Sequence, residues 1–246
     1  MMINEENRLP HAVMDLPSRR QKGEKIERLL DLASRPICQR MLEVGTGSGG
    51  IAHYFGTHRK LYYAVDAVDV YDNRLVTEGY KYTEVKGTRL PFEDQAFDIV
   101  LSNHVIEHVG DRSAQLEHLS ELRRVMKLDG LGYLAVPNRW MLIEPHYKLA
   151  FLSWLPRHWR SPYLRFRNKG NIYDCEPLQM RQLEQMLSES GLLGLNIGVD
   201  ALRATLAIEK PGTWGHRLSR DMPAWLITPF NRFIPTLIYR FTRPIS

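Results

Sequence analysis

Three polar residues in the stretch SNHVIEHVGD (102–111) are of types that do chemistry: His104, Glu107 and His108. They spell H-x-x-E-H, the inverted zinc-protease motif, in which two histidines share a helical face and a glutamate lies beside them. A zinc protease carries this motif inside a long helix. Here an apolar strand pattern, FDIVLSNHV (97–105), runs into it, so we expect His104 at the end of a strand and disfavour proteolysis.

A glycine-rich turn, MLEVGTGSGG (41–50), predicts a second kind of chemistry, the binding of a nucleoside cofactor. Gly45, Gly47 and Gly49 let the backbone turn tightly and let a ligand approach its amide groups. Gly45, Gly47 and Gly50 also fit the G-x-G-x-x-G dinucleotide fingerprint, which is a weak signal by itself. Glu43 favours another ligand, because a carboxylate there repels a pyrophosphate but suits an ammonium or sulfonium charge.

An acidic residue downstream supports a nucleoside ligand. Asp66, 23 residues after Glu43, is predicted to end strand two, LYYAVDAVDV (61–70). A carboxylate at that point can accept two hydrogen bonds from a ribose diol. Asp69 is the alternative, but the 23-residue spacing favours Asp66. Since such an acid serves NAD equally well, an NAD-dependent oxidoreductase stays open as an alternative function.

The elements that must position these residues alternate between strand and helix. This alternation indicates βαβ units and a mostly parallel sheet. The predicted helices are 18–34, 114–128 and 176–191, and the predicted strands are 41–44, 61–70, 83–87, 97–105 and 132–138. Residues 139–170 have no clean period, so we interpret them as an insertion or lid. LLGLNIGV and LRATLAIEK then predict a closing pair of strands.

Four motifs follow one another along the chain: EVGTGSG, the acid at the end of strand two, LPFEDQAFDIV and RVMKLDGL. Together they resemble the motifs of class I S-adenosylmethionine-dependent methyltransferases, of the type 11 small-molecule branch, over roughly residues 25–138. The resemblance implies an α/β fold: a Rossmann-like, seven-stranded, mostly parallel sheet with its last strand antiparallel and helices on both faces. It also implies S-adenosyl-L-methionine as the cofactor and methyl transfer as the activity.

The resemblance also implies roles for single residues. The glycine loop would line the methionine half of the cofactor, Glu43 would orient that loop or the ammonium group, and Asp66 would bind the ribose. The family usually has an acid before L-P-F, but this chain reads VKGTRLPF, so backbone groups near Thr88–Leu90 are expected to hold the adenine. The expected cofactor contacts are Glu43, Gly45, Thr46, Gly47, Gly49, Asp66, Ala67, Thr88, Arg89, Leu90, Asn103 and His104.

Methyl transfer needs few catalytic groups, because the methyl sulfonium is already activated and the acceptor has chiefly to be placed in line with it. An acceptor hydroxyl also needs a general base, for which His104 is the first candidate, followed by His146 and His108. Relatives with E-x-x-E-H at this point hold a divalent metal. His104 replaces the first glutamate here, and although His-Glu-His could ligate a metal, we predict none.

Positive charge is concentrated in two segments of a chain whose formal net charge is +5. Residues 139–170 hold seven Lys or Arg against one acid, and residues 212–246 hold five Arg against one acid. Aromatic residues lie between these cations, and the C-terminal segment is too short and interrupted to span a bilayer. The pattern favours a small-molecule, lipid-linked or saccharide acceptor and a peripheral membrane contact through the tail, and disfavours nucleic acid.

The expected organisation is a methyltransferase domain at 1–211, with the insertion at about 139–175, followed by a basic-aromatic tail at 212–246. Cys38 and Cys175 are too few for a disulfide scaffold, so we expect free thiols in a reducing compartment. The N-terminus lacks the apolar core of a signal peptide. We therefore expect a cytoplasmic protein, associated with a membrane through its tail. A non-catalytic cofactor-binding module is the alternative from another functional class.

Overall fold

Seven strands form the sheet on which the other elements pack, in a computed structural model that describes residues 15–35, 39–58, 63–144, 147–173 and 175–244. Two further short strands pair in a hairpin outside this sheet. The strands are β1 (Gln39–Val44), β2 (Tyr63–Asp69), β3 (Tyr80–Glu84), β4 (Phe97–Asn103), β5 (Met126–Pro137), β6 (Ile143–Glu144), β7 (Leu149–Ala150), β8 (Leu193–Asn196) and β9 (Thr236–Thr242).

The strand order of the large sheet is β3-β2-β1-β4-β5-β9-β8. Neighbouring strands from β3 to β5 are parallel, whereas β9 runs antiparallel to both β5 and β8. The predicted Rossmann-like sheet, mostly parallel with its last strand antiparallel, is therefore confirmed. β1 and β4 are buried along almost their whole length, as expected of parallel strands that are covered on both faces.

Helices cover both faces of the sheet. Ile26, Phe55 and Ala201 bring α1, α2 and α6 into one core cluster, and Leu119 and Leu183 bring α3 and α5 into the other. None of the described helices is long and apolar enough to cross a membrane. The helices are α1 (Leu16–Leu29), α2 (Gly50–Gly56), α3 (Arg112–Val125), α4 (Arg157–Phe166), α5 (Met180–Glu189), α6 (Gly198–Glu209), α7 (Trp214–Asp221) and α8 (Ala224–Ile227).

The closing strands differ from the prediction. LLGLNIGV supplies β8, but LRATLAIEK lies in α6, so its predicted strand is wrong. The small apolar residues Ala201 and Ala204 of α6 are spaced three apart and lie on the buried face of this helix. The missing strand is β9, which comes from the segment expected to be a tail and inserts between β5 and β8. The sheet therefore extends past the expected domain boundary at residue 211.

The apolar residues of β9 belong to the core. Leu237, Ile238, Tyr239 and Phe241 are each at most 5% exposed. A Cβ atom on Gly132 of β5 would overlap the Phe241 ring, so a glycine lets the ring lie flat on the neighbouring strand. The apolar character of this part of the tail is thus explained by burial in the protein.

Residues 139–175, the predicted lid insertion, form a small cluster of their own. Its buried members are Tyr147, Leu149, Leu152 and Leu164. Arg160 is only 2% exposed and donates hydrogen bonds to the carbonyl oxygens of Leu155 and Ser153. Its Nη1 also forms an ion pair with Glu176 over 3.5 Å, so this arginine holds the segment together. The function of the segment as a lid stays a prediction.

Replacing Phe241 tests the place of β9 in the core. Phe241→Ala should lower the free energy of unfolding by about 3–5 kcal/mol, because it removes a fully buried ring. Phe166→Ala removes the same side chain from a position that is 81% exposed and should change it by less than about 1 kcal/mol. Urea denaturation measures both. Equal, small losses would place β9 outside the cooperative core.

Candidate cofactor site

The glycine-rich loop between β1 and α2 lies at the carboxyl edge of the sheet, where open α/β sheets bind ligands. Gly45 and Gly47 have φ values of +76° and +54°, which only glycine adopts without strain. The Gly45 N–H donates to the carbonyl oxygen of Val68 over 2.8 Å, which ties the loop to β2. The Ser48 hydroxyl is buried without a hydrogen-bond partner, so it can form a hydrogen bond with a ligand.

Glu43 organises this loop from below. It is 2% exposed, and its Oε2 accepts a hydrogen bond from the Thr46 hydroxyl over 2.8 Å. The nearby backbone N–H of Ala52 in α2 also favours the ionised form of Glu43. Burial raises the pKa of Glu43 to about 8, against the opposing effects of these groups and of Arg19. A cationic ligand group beside it would favour the ionised form.

Arg19 is a site residue that the sequence analysis missed. It lies in the first turns of α1, and a Cβ atom on Gly50 would lie 2.5 Å from the Arg19 Cβ, so this helix packs directly on the start of α2. The Arg19 Nε is buried with no hydrogen-bond partner, and burial lowers the pKa of the guanidinium. No motif pointed to it, because its proximity to the loop arises from the packing of two helices.

β2 ends at Asp69, so the prediction that Asp66 ends strand two is wrong. The Asp69 Oδ2 accepts a hydrogen bond from the Gly47 N–H over 2.8 Å, which brings its carboxylate against the glycine loop. Asp66 lies inside β2 and forms an ion pair with Arg40 over 3.1 Å. The 23-residue spacing from Glu43 predicted the wrong strand end because it includes the residues of α2 and its connection. The end of a strand depends instead on the register of the sheet.

The residues expected near the ribose and adenine differ in burial and in the hydrogen bonds that they already make within the protein. Ala67 also lies inside β2 and is fully buried in the core. The Leu90 N–H donates to the Glu121 carboxylate over 2.8 Å, and the Leu90 carbonyl accepts from Arg124. The backbone of Leu90 is therefore already bonded to α3. Thr88 is half-buried and Arg89 is exposed, and their contact with adenine stays a prediction.

The end of β4 carries a second group of polar side chains at the same edge. Asn103 is 9% exposed, and its Oδ1 is buried without a hydrogen-bond partner. His104 has a left-handed backbone, with φ at +59°, which is uncommon for a residue with a side chain and marks a candidate functional position. Its Nδ1 lies 3.2 Å from the Glu107 Oε1.

Glu107 is fully buried beneath His104. Burial opposes ionisation of its carboxyl group, yet the hydrogen bond from His104 and the charges of His104 and His108 hold the pKa of Glu107 below its usual value. Its Oε2 has no hydrogen-bond partner. His104 and Glu107 thus form a carboxylate–imidazole pair whose histidine is partly open to solvent, with 25% of its side chain exposed.

The other histidines take different positions. Residues 106–108 form a 3₁₀ turn instead of a long helix, and the His108 Nδ1 lies 3.8 Å from the Cys175 Sγ. His118, which the sequence analysis passed over, is buried and lies 3.0 Å from the Ser102 hydroxyl, and burial lowers its pKa to about 4. His146 lies outside the described residues, within which no group of three or more His, Cys, Asp or Glu could hold a metal ion.

Residues 42–134, which include the glycine loop, Asp69 and His104, match the family model described as a methyltransferase domain. This part of the chain is therefore a methyltransferase domain that is similar to the type 11 group. The four motifs predict S-adenosylmethionine as the cofactor of such a domain, and the match confirms the predicted methyltransferase domain itself. The orphaned Ser48 and Asn103 atoms, the buried carboxylate of Glu43 and the positive-φ glycines are a polar cradle that fits such a ligand.

Two curated relatives and one solved structure illustrate the similarity. The chain is 36% identical over 101 residues to a glycine/sarcosine/dimethylglycine N-methyltransferase of Actinopolyspora halophila, covering 37% of this chain and 17% of that protein. It is 32% identical over 89 residues to a ubiquinone/menaquinone biosynthesis C-methyltransferase of Xanthomonas oryzae, covering 35% and 33%. The Haemonchus contortus phosphoethanolamine N-methyltransferase 2, in complex with S-adenosyl-L-methionine, superposes with a TM-score of 0.51 at 17% identity, covering 90% and 52%.

These similarities cover only part of the length of each curated relative. The chain spans 17% to 39% of the length of the first curated relatives that it matches. The solved structure is too distant in sequence to show more than the fold.

The buried carboxyl of Glu43 predicts a pH dependence of stability. Because burial raises its pKa from 4.5 to about 8, the folded protein binds this proton more tightly than the unfolded chain does. The free energy of unfolding should therefore fall as pH rises through that range. Glu43→Gln removes the titrating carboxyl. The free energy of unfolding of the variant relative to that of the natural chain should therefore increase as pH rises from 4.5 to about 8.

Urea denaturation at several pH values measures the difference. Glu117→Gln, on an exposed residue of α3, controls for the removal of a negative charge. A difference between the Glu43 variant and the natural chain that does not change with pH would contradict the raised pKa.

Proposed function

We propose that the chain transfers a methyl group from S-adenosylmethionine to a small-molecule, lipid-linked or saccharide acceptor at the carboxyl edge of the sheet. The observation that carries the proposal is the convergence of the glycine loop, Asp69 and the His104–Glu107 pair at the ends of three adjacent strands. Cofactor and acceptor groups thereby share one edge, as methyl transfer requires.

Four side chains around the loop suit different parts of the cofactor. We assign the ribose hydroxyls to Asp69, whose carboxylate can accept two hydrogen bonds at the strand end. Glu43 suits the ammonium group, directly or through water, and the unpartnered Nε of Arg19 suits the carboxylate. Asn103 has a free oxygen at the end of β4. When bound, S-adenosylmethionine supplies a methyl group that its sulfonium has already activated.

His104 is suited to act as the general base if the acceptor is a hydroxyl. Glu107 accepts a hydrogen bond from the His104 Nδ1, which selects the tautomer with a free Nε2. The His104 Nε2 would then take the proton of the acceptor hydroxyl, and S-adenosylmethionine, when bound, would supply the activated methyl group. Glu107 is a positioning residue in this scheme, because it acts through His104.

The acceptor class rests on residues 139–175 and their link to this site. The Glu176 N–H donates to the Glu107 carbonyl over 2.9 Å, so the segment ends directly beside the His104 stretch. The segment exposes Phe151, Trp159 and Phe166, whose rings suit the apolar part of a lipid-linked acceptor or the face of a sugar. The names of the two curated relatives indicate acceptors that range from small amines to quinones.

Replacing Asp69 tests cofactor binding. Asp69→Ala should weaken the binding of S-adenosylhomocysteine at least tenfold, about 1.4 kcal/mol, because charged hydrogen bonds to the ribose are lost. Asp66→Asn should leave the affinity within about twofold, since this residue lies inside β2. Isothermal titration calorimetry measures both. The reverse pattern would return the ribose to Asp66, and no binding by the natural chain would refute the proposed function.

Replacing His104 tests the base. With a hydroxyl acceptor, His104→Ala should lower kcat at least about 100-fold, and Glu107→Gln should lower it by a smaller factor. Affinity for S-adenosylhomocysteine should change little in the Glu107 variant. His108→Ala, whose ring is next to Cys175, is the matched control and should keep most of the activity.

Transfer of labelled methyl groups into lipid, saccharide and small-molecule fractions of a cell extract measures these rates. An unchanged kcat in His104→Ala would show that the acceptor attacks without a base, as an amine or thiolate does. Cofactor binding without transfer to any fraction would favour a non-catalytic binding module.

A further inference from the structure

Helix α7 packs on the protein with its small residues and turns its large apolar residues to solvent. Ser219 is 7% exposed, and a Cβ atom on Gly215 would contact Leu206 of α6. Trp214 and Leu218, spaced four apart on one face of the helix, are 77% and 41% exposed. A surface helix normally buries its apolar stripe, whereas α7 leaves most of Trp214 and two fifths of Leu218 open to solvent.

Hydrogen bonds cap α7 at its start and tie its end to α6. The Thr213 hydroxyl accepts a hydrogen bond from the His216 N–H and caps the start of the helix. At its end, the Arg203 guanidinium of α6 donates to the carbonyl oxygens of Ser219 and Met222. The bonds from Arg203 tie the C-terminal end of α7 to α6.

Cations surround this apolar face. Lys210 and Arg217 are exposed and make no ion pair with another described residue. Arg220 pairs with Asp221 over 2.8 Å, and Asp221 is the only acid in the sequence from 210 to 233, which contains four Lys or Arg. An uncompensated positive charge therefore adjoins the exposed tryptophan and leucine.

The rest of the connection between β8 and β9 also exposes large apolar residues. Trp225 and Leu226 of α8 are 71% and 41% exposed. This connection contains three helices, none of which holds a residue assigned to the cofactor or the base. Its exposed apolar residues are therefore unexplained by methyl transfer.

We propose that the α7 face, defined as Trp214, Arg217 and Leu218, docks on an anionic membrane surface. Tryptophan and leucine side chains enter the boundary between headgroups and acyl chains, and the neighbouring cations lie against the anionic headgroups. This charge complementarity favours a membrane over a nucleic acid, to which a solvent-facing leucine contributes little. The inference goes beyond the proposed function, because it concerns where the protein acts and involves other residues.

Vesicle flotation of the full chain tests the proposal. Phosphatidylcholine vesicles that contain phosphatidylglycerol should bind the natural chain, and vesicles of phosphatidylcholine alone should bind it at least tenfold more weakly. Binding should also weaken as salt is raised, because salt screens the attraction between the cations and the headgroups. The double variant Trp214→Ser, Leu218→Ser should lose at least tenfold in binding to the anionic vesicles.

A matched double variant, Leu193→Ser with Leu195→Ser, removes leucines of β8 that are 58% and 53% exposed, and should bind as the natural chain does. Arg217→Glu should weaken binding to the anionic vesicles and reduce its salt dependence. All replaced side chains are exposed, and thermal unfolding together with S-adenosylhomocysteine binding verifies that each variant is folded. Retained cofactor binding with lost vesicle binding separates this proposal from the proposed function.

Three results would overturn the proposal. The first is no vesicle binding by the natural chain, and the second is equal binding by the natural chain and the α7 variant. The third is a change of oligomeric state in the α7 variant without any vesicle binding, which would identify the face as an interface between protein chains.

Discussion

Parallel pairing of β1 with β2 and β4 is the constraint on which the site depends. Val44 lies in register with Val68 on one side and with Ser102 on the other. The three strands therefore end at the same level, and the glycine loop, Asp69 and the Asn103–His104 pair meet at one edge. Without this register, the residues that suit the cofactor and the acceptor would belong to separate loops.

Buried ionisable groups secure this edge from within. Glu43 accepts a hydrogen bond from Thr46 in the glycine loop, and Glu107 holds the ring of His104. Burying a carboxyl group costs free energy unless partners compensate, and here the two groups respond in opposite directions. The pKa of Glu43 rises because its partners only partly compensate for burial, whereas that of Glu107 falls beside two histidines. One carboxyl is thus the proton-binding group beneath the loop, and the other is the partner of an imidazole.

The C-terminal part of the chain divides its apolar residues between two uses. Residues 236–242 are apolar because β9 is an interior strand. Residues 214–226 carry tryptophans and leucines that the fold leaves exposed. In the sequence these two stretches read as one basic-aromatic tail, because hydropathy is the same whether a side chain is buried in a sheet or faces solvent. The pairing of β9 with β5 and β8 in the sheet distinguishes the buried stretch from the exposed one.

The sequence by itself determined the family, the parallel sheet from β1 to β5 and the glycine loop with Glu43, because each depends on local patterns of strand, turn and helix. The tertiary structure decided which acid ends β2, how His104 pairs with Glu107, and that Arg19 packs by the loop. It also decided that β9 closes the sheet and that α6 is a helix. These features depend on strand register and on contacts between residues far apart in the chain, which local periodicity does not encode.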